Sequence, residues 1–171
     1  GANHQKEIAF LCEMTLPDFG YISNFGKAHL EGFGGLSGVI KGKSELYDYL
    51  RKNKKEAFVN SNDPLQLENS QGIKRHLFGT QVNLLDIVPF VRVKYKDNCI
   101  QSHLIGQYNF QNLRAAIAIG NHFGVNPQDI KEAIENYVPT NNRSQILLKG
   151  NATIILDAYN ANPSSMEVAL E

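Results

Sequence analysis

The chain has 171 residues, 42% hydrophobic and 20% charged, with a formal net charge of zero. That balance fits a packed globular domain plus part of a second. It excludes a disordered tail and a nucleic-acid or membrane surface held by bulk charge. Cys12 and Cys99 have neither metal-ligand spacing nor a pairing framework, which points to a reduced, cytoplasmic setting. No apolar run approaches the ~20 residues of a membrane span, and no signal peptide is visible.

In chain order, residues 5–14 read as a short helix closed by Pro17, and residues 19–23 as a strand. Leu36, Val39, Ile40, Leu46, Tyr47 and Leu50 recur at helical spacing and predict an amphipathic helix over 36–53. The basic cluster at its end, Arg51-Lys52 with Lys54-Lys55, reads as a solvated last turn favoured by the helix dipole. Residues 56–60 form a strand, and Asn62-Asp-Pro64 a turn that caps the next short helix. Residues 74–79 and 82–106 hold several strands, with Asp97-Asn98 as a hairpin turn.

A helix over 109–123 places Leu113, Ala116, Ile117, Ile119 and Gly120 on its packed side. A second starts at the cap Asn126 with Pro127 in first position, runs to Tyr137 and ends at Pro139. Strands at 145–149 and 152–156 flank the turn Gly150-Asn151. A polar loop over 157–163 leads into a further helix. Strands alternating with helices argue for α/β architecture, with a domain boundary near 139–144.

Residues 21–34 carry the densest chemistry. A short strand runs into a glycine-rich turn holding His29 and Glu31, a pair suited to a divalent cation or phosphate. Lys43 lies in the middle of the next helix's apolar stripe. Two readings are open: a packed stem whose amine reaches water, or an amine aimed into a site. Gly42-Lys43-Ser44 mimics the end of a Walker A loop. However, Ser37 stands where the first glycine belongs and the pattern is helical throughout, so a P-loop is not expected. Asn109 and Asn112 at a helix start read first as caps, as does Asp157 beyond a strand. Arg143 has the fork that matches phosphate oxygens, and Asp157 could accept from ribose hydroxyls.

Several segments, in order, resemble the Mur ligases, the ATP-dependent amino-acid ligases of peptidoglycan synthesis. They are Gly1-Ala-Asn-His-Gln-Lys-Glu-Ile8, Asn24-Phe-Gly-Lys-Ala-His-Leu-Glu-Gly-Phe-Gly34, Lys43-Ser-Glu-Leu46, Gly106-Gln-Tyr-Asn-Phe-Gln-Asn-Leu113, Asn142-Arg143 and Asp157-Ala-Tyr-Asn-Ala-Asn-Pro163. The start and the last loop resemble the branch that joins D-Ala-D-Ala to UDP-MurNAc-tripeptide. The resemblance implies that ATP phosphorylates the substrate carboxylate. The incoming amine then attacks the acyl phosphate, and the tetrahedral intermediate collapses to a peptide bond and phosphate.

It further implies roles residue by residue. His29 ligates Mg²⁺, and Lys43, carbamylated, supports the metal through a carboxylate. Asn109 and Asn112 contact adenine, and Arg143 and Asp157 contact ATP phosphate and ribose. Asn3 and His4 face the substrate, as do Tyr159, Asn160 and Asn162. Tyr108 departs from the histidine more common in the family.

The implied fold is a central ATP-binding domain over residues 1–142, with a mostly parallel sheet flanked by helices and a small antiparallel sheet. Residues 143–171 would begin a C-terminal Rossmann-like domain. A cytoplasmic monomer is expected, without nucleic-acid partner or membrane insertion. The family's Walker A loop and an adjacent metal-binding Glu have no counterpart and would lie before Gly1; with no initiator Met at the start and residues 166–171 stopping within a helical pattern, both ends read as cut. The 171-residue chain alone is therefore expected to be inactive. Incubated with ATP, Mg²⁺ and both substrates, it should form no ADP above background, and sustained ADP formation would contradict this.

Overall fold

The computed structural model of the chain describes residues 2–140, 145–156 and Met166. The chain forms two compact units, Gly1–Gly79 and Thr80–Glu171. This division was not anticipated from sequence. The boundary expected near 139–144 concerns a different division, and residues 141–144 lie outside the described residues.

In the first unit β1 (Phe19–Tyr21), β2 (Glu56–Asn60) and β3 (Lys74–Phe78) form a parallel sheet in that order. Parallel strands need crossovers, and helices supply them. Helix α1 (Glu7–Thr15) precedes β1; α2 (Leu30–Phe33) and α3 (Leu36–Lys52) link β1 to β2; α4 (Pro64–Asn69) links β2 to β3. Strand residues alternate between the sheet's faces. Ala57 and Val59 lie in a core cluster with Ile22, Phe25, Tyr47, Leu50 and Ile73, which joins the sheet to α3. Gly20 belongs to the same face. A Cβ there would lie 2.7 Å from Leu50 and 3.0 Å from Leu46, so glycine lets α3 approach β1 closely. On the other face Phe19, Phe58 and His76 make ring contacts. His76, for which spacing suggested no partner, lies 2.5 Å from the Glu56 carboxylate.

The cap expected before α4 is present: Asp63 accepts hydrogen bonds from the N–H groups of Leu65 and Gln66, with Pro64 in the first turn. Two details depart from the sequence reading. Leu36, placed on the apolar stripe of α3, is 43% exposed, because it sits in the first turn beyond the sheet-facing residues. Arg51 is more than a solvated terminal charge. Its Nε donates to the Gln71 carbonyl and its Nη2 to the Asn69 carbonyl, tying α3 to the end of α4.

The second unit contains β4 (Val82–Asp86), β5 (Arg92–Tyr95) and β6 (Asn98–Gln101), an antiparallel sheet in that order. Helices α5 (Gln107–His122) and α6 (Pro127–Glu135) pack with it around Val91, Val93, Ile100, Leu113, Ile117 and Ile130. The β5–β6 turn is Lys96-Asp97 rather than Asp97-Asn98. Tyr95 pairs with Asn98, and Lys96 takes up a positive φ of 52°. On α5 the buried alanine is Ala115, while Ala116 is exposed: the helix begins before Asn109 and buries the neighbouring stripe. Asn126 caps α6 as expected, accepting from the N–H groups of Gln128 and Asp129. Strands β7 (Gln145–Lys149) and β8 (Ala152–Leu156) form an antiparallel hairpin around Gly150. The helix expected after Pro163 falls outside the described residues apart from Met166.

Two glycines of α3 exist for a neighbour. A Cβ on Gly42 would lie 2.4 Å from the Phe33 ring, and one on Gly38 would lie 1.7 Å from the Phe33 carbonyl oxygen. In an open helix Gly→Ala stabilises by about 1 kcal/mol. Here Gly38→Ala should destabilise by about 1–3 kcal/mol, because a backbone carbonyl cannot step aside. Urea denaturation of both proteins measures the difference, and an unchanged or raised midpoint would refute the packing described.

Candidate functional site

The site assembles in the first unit, around the middle of α3. Lys43 is half-buried there, next to the buried Gly42 and Ser44. Its Nζ donates to the Asn24 carbonyl at 2.8 Å, in the loop that leaves β1. Asn24 in turn accepts the Gly26 N–H on its side-chain oxygen at 2.8 Å, which sets the glycine turn. The chain then reaches His29, exposed, in the left-handed region at φ 54° immediately before α2. Lys43 thus holds the loop whose far end presents His29. The amine of this half-buried lysine thus bonds a backbone carbonyl of the chain itself. Burial lowers its pKa from the ordinary 10.5, since desolvation disfavours the charged form.

The Asn3–His4 turn meets α2. Asn3's carbonyl oxygen lies 2.2 Å from where a Cβ on Gly32 would sit, and the His4 Nε2 lies 3.4 Å from that point. Gly32 is about one helical turn past His29, so Asn3, His4 and His29 gather at the start of α2. Glu7 fixes the turn from its own side, accepting the N–H groups of Asn3 at 2.7 Å and His4 at 2.9 Å. These backbone donors, His4 first, hold the Glu7 carboxyl below its ordinary range.

A second carboxylate completes the arrangement. Glu45, on α3, accepts the Lys6 N–H at 2.6 Å and the Ala9 N–H at 3.0 Å. Sequence reading gave Glu45 no role. A signal existed, however: position 6, before α1, is a lysine where a Ser, Thr, Asp or Asn cap is expected, so the first amides of the helix needed an acceptor from elsewhere.

His29 stands immediately before α2 and Glu31 in its first turn. Among the described residues no three His, Cys, Asp or Glu side chains gather to hold a metal. His29 offers one nitrogen, and Lys43 as an ammonium offers none. The donor set is incomplete without a chemical change at Lys43.

In the second unit Asn109 and Asn112 do come together. Asn109 is buried; its Nδ2 donates to the Ile105 carbonyl at 2.8 Å, and its Oδ1 accepts from Asn112 Nδ2 at 3.0 Å. Asn109 is thus engaged with its own loop, and Asn112 is the exposed member of the pair. Arg143, Asp157, Tyr159, Asn160 and Asn162 lie outside the described residues.

A crossover-linked parallel sheet, with a glycine turn and His29 beyond the end of β1 and Lys43 bonded to the loop between them, defines an α/β domain. The sequence profile of the Mur ligase middle domain matches residues 1–120, and the chain belongs to that family. It is 28% identical over 181 residues to the UDP-N-acetylmuramoyl-tripeptide–D-alanyl-D-alanine ligase of Bacillus subtilis, covering 100% of this chain and 39% of that protein. MurF from Acinetobacter baumannii superposes with a TM-score of 0.82 at 30% identity, over 99% of this chain and 40% of that one. MurF from Thermotoga maritima in complex with ADP shares the fold, with a TM-score of 0.80 at 22% identity over 99% of this chain and 42% of that one. The chain thus spans about two fifths of these relatives' length.

The lowered Lys43 pKa makes stability pH-dependent. A lysine whose folded pKa lies below its unfolded value costs stability while it is charged. The unfolded state binds the extra proton between the two values, so stability rises with pH through that window. The stability of wild type relative to Lys43→Met should therefore rise with pH, read from the two denaturant midpoints. The change should appear as pH climbs towards 10.5; a pH-independent difference would show that the amine is not desolvated.

Proposed function

We propose that the protein, at its native length, is a cytoplasmic ATP-dependent ligase that joins D-Ala-D-Ala to UDP-MurNAc-tripeptide through an acyl phosphate. The observation that carries this is the family match over residues 1–120 combined with the Lys43–Asn24 bond that holds the His29 loop. The names of the Bacillus subtilis and Acinetobacter baumannii relatives support the choice of substrates. The ADP bound in the Thermotoga maritima relative supports the nucleotide. In this reading residues 143–171 begin a further domain. Arg143 and Asp157 bind ATP phosphate and ribose, and Tyr159, Asn160 and Asn162 face the substrates.

Asn112 presents its amide to adenine while Asn109 orients it, since Asn109 is already bonded to Ile105 and Asn112. Asn3 and His4 face the uridine-nucleotide substrate. Mg²⁺ would be held in part by His29 and by Lys43 as a carbamate, and would offset the phosphate charge that builds up in acyl transfer. Lys43 suits that change. Desolvation favours its neutral amine, which can add to CO₂, forming an N–C bond and releasing a proton to solvent.

Phosphate release by the native-length protein with ATP, Mg²⁺ and UDP-MurNAc-tripeptide tests the reading. Turnover should require D-Ala-D-Ala and should fall at least ~100-fold in Lys43→Ala and in His29→Ala. Turnover driven by a single amino acid would instead assign a sister ligase. No turnover with any amine would overturn the enzymatic reading.

A further inference from the structure

We propose that Glu45 is a positioning residue, anchoring the Asn3–His4 turn beside His29 so that this turn meets the uridine-nucleotide substrate in a fixed place. The proposal deepens the ligase reading above and rests on it for the identity of the substrate.

The geometry comes from one helix and the two segments that it holds. Lys43 and Glu45 stand two residues apart on α3 and so leave the helix in different directions. Lys43 reaches the Asn24 carbonyl and holds the loop that ends at His29. Glu45 reaches the amides of Lys6 and Ala9 and holds the start of α1. Asn3 and His4 lie just before that start. The amide of Lys6, the residue before α1, and that of Ala9 in its first turn have no partner within the helix. The two carboxylate oxygens are each committed to one of these donors. Glu45 is therefore engaged as an anchor through both oxygens. Gln5 adds a weaker tie, its Nε2 donating to the Phe33 carbonyl at 3.4 Å.

A helix cap alone would not need this arrangement. A Ser or Asp at position 6 would satisfy the Ala9 amide locally, without reference to α3, but not the amide of residue 6 itself. Position 6 instead holds a lysine in the left-handed region, at φ 73°, and the acceptor comes from far along the chain. The result is that the Asn3–His4 turn and the His29 loop are both referenced to neighbouring residues of a single rigid helix. Gly32 completes the junction by letting the Asn3 carbonyl sit against α2. A carboxylate accepting two amides is a charge-assisted anchor, stronger than a neutral cap.

The test uses the native-length protein with Glu45→Gln and Glu45→Ala, each checked for a cooperative thermal transition. Glu45→Gln keeps one acceptor oxygen and loses the charge, so its effects should fall between those of wild type and Glu45→Ala. Amide hydrogen exchange at Lys6 and Ala9 should speed up ~10-fold or more in Glu45→Ala. In the same variant KM for UDP-MurNAc-tripeptide should rise ~10-fold, while kcat and KM for ATP stay within ~3-fold of wild type.

Unchanged exchange at both amides would overturn the anchor. Faster exchange with an unchanged KM for the tripeptide substrate would reduce Glu45 to a structural cap and overturn the positioning role. Should the wild-type protein turn over no tripeptide substrate at all, the ligase reading falls, and with it the kinetic half of this proposal. The exchange rates then still decide whether Glu45 anchors the turn.

Discussion

The amine of Lys43 is charged, half out of water and committed to a backbone carbonyl, and the first unit is arranged around that constraint. An ammonium placed among packed side chains must find an acceptor or lose its proton. The Asn24 carbonyl supplies the acceptor, and the loop after β1 is thereby fixed in a path that ends at His29. Glu45, one step further along the same helix, imposes the equivalent constraint on α1. The glycine face of α3 accepts Phe33 and seats α2. Helix α3 is both the sheet's packing partner and the frame on which three short segments are hung.

This division of labour explains why so little of the site is loop alone. Asn3, His4 and His29 are exposed and sit on short segments with few apolar contacts of their own. Left to themselves such segments would sample many conformations, and ordering them costs conformational entropy. Carboxylate-to-amide and amine-to-carbonyl bonds from a helix that is itself packed on the sheet meet that cost with directional interactions. In the second unit Asn109 acts similarly, spending its amide on Ile105 and Asn112 and leaving Asn112 as the exposed group.

Much of this was legible in the sequence, for physical reasons that differ by element. The period of α3, the cap-and-proline starts of α4 and α6 and the strand β2 rest on local chemistry, and all four are found as read. Lys43 stood out because a charge inside an apolar stripe is a local contradiction, and such contradictions mark special sites. What failed to show depends on partners distant in sequence. Glu45 looks like any surface glutamate until α1 is folded against it. Gly38 and Gly42 look like weak points in a helix until Phe33 arrives. Leu36 lies beyond the sheet-facing part of α3, and α5 buries Ala115 rather than Ala116, which depends on the partners each helix meets. The division at Gly79 and Thr80 leaves no mark in composition, because both units have ordinary α/β content.

The account stands on the state of the Lys43 amine, and a direct titration of that nitrogen tests it. Heteronuclear NMR of the Lys43 Nζ and its adjacent methylene, followed as a function of pH and assigned by Lys43→Arg, gives the midpoint. A midpoint clearly below 10.5 is predicted, whereas Lys55, hydrogen-bonded to Asp18, should titrate above it. A midpoint at or above 10.5 would mean that the amine is not desolvated, and would contradict its half-buried placement on α3.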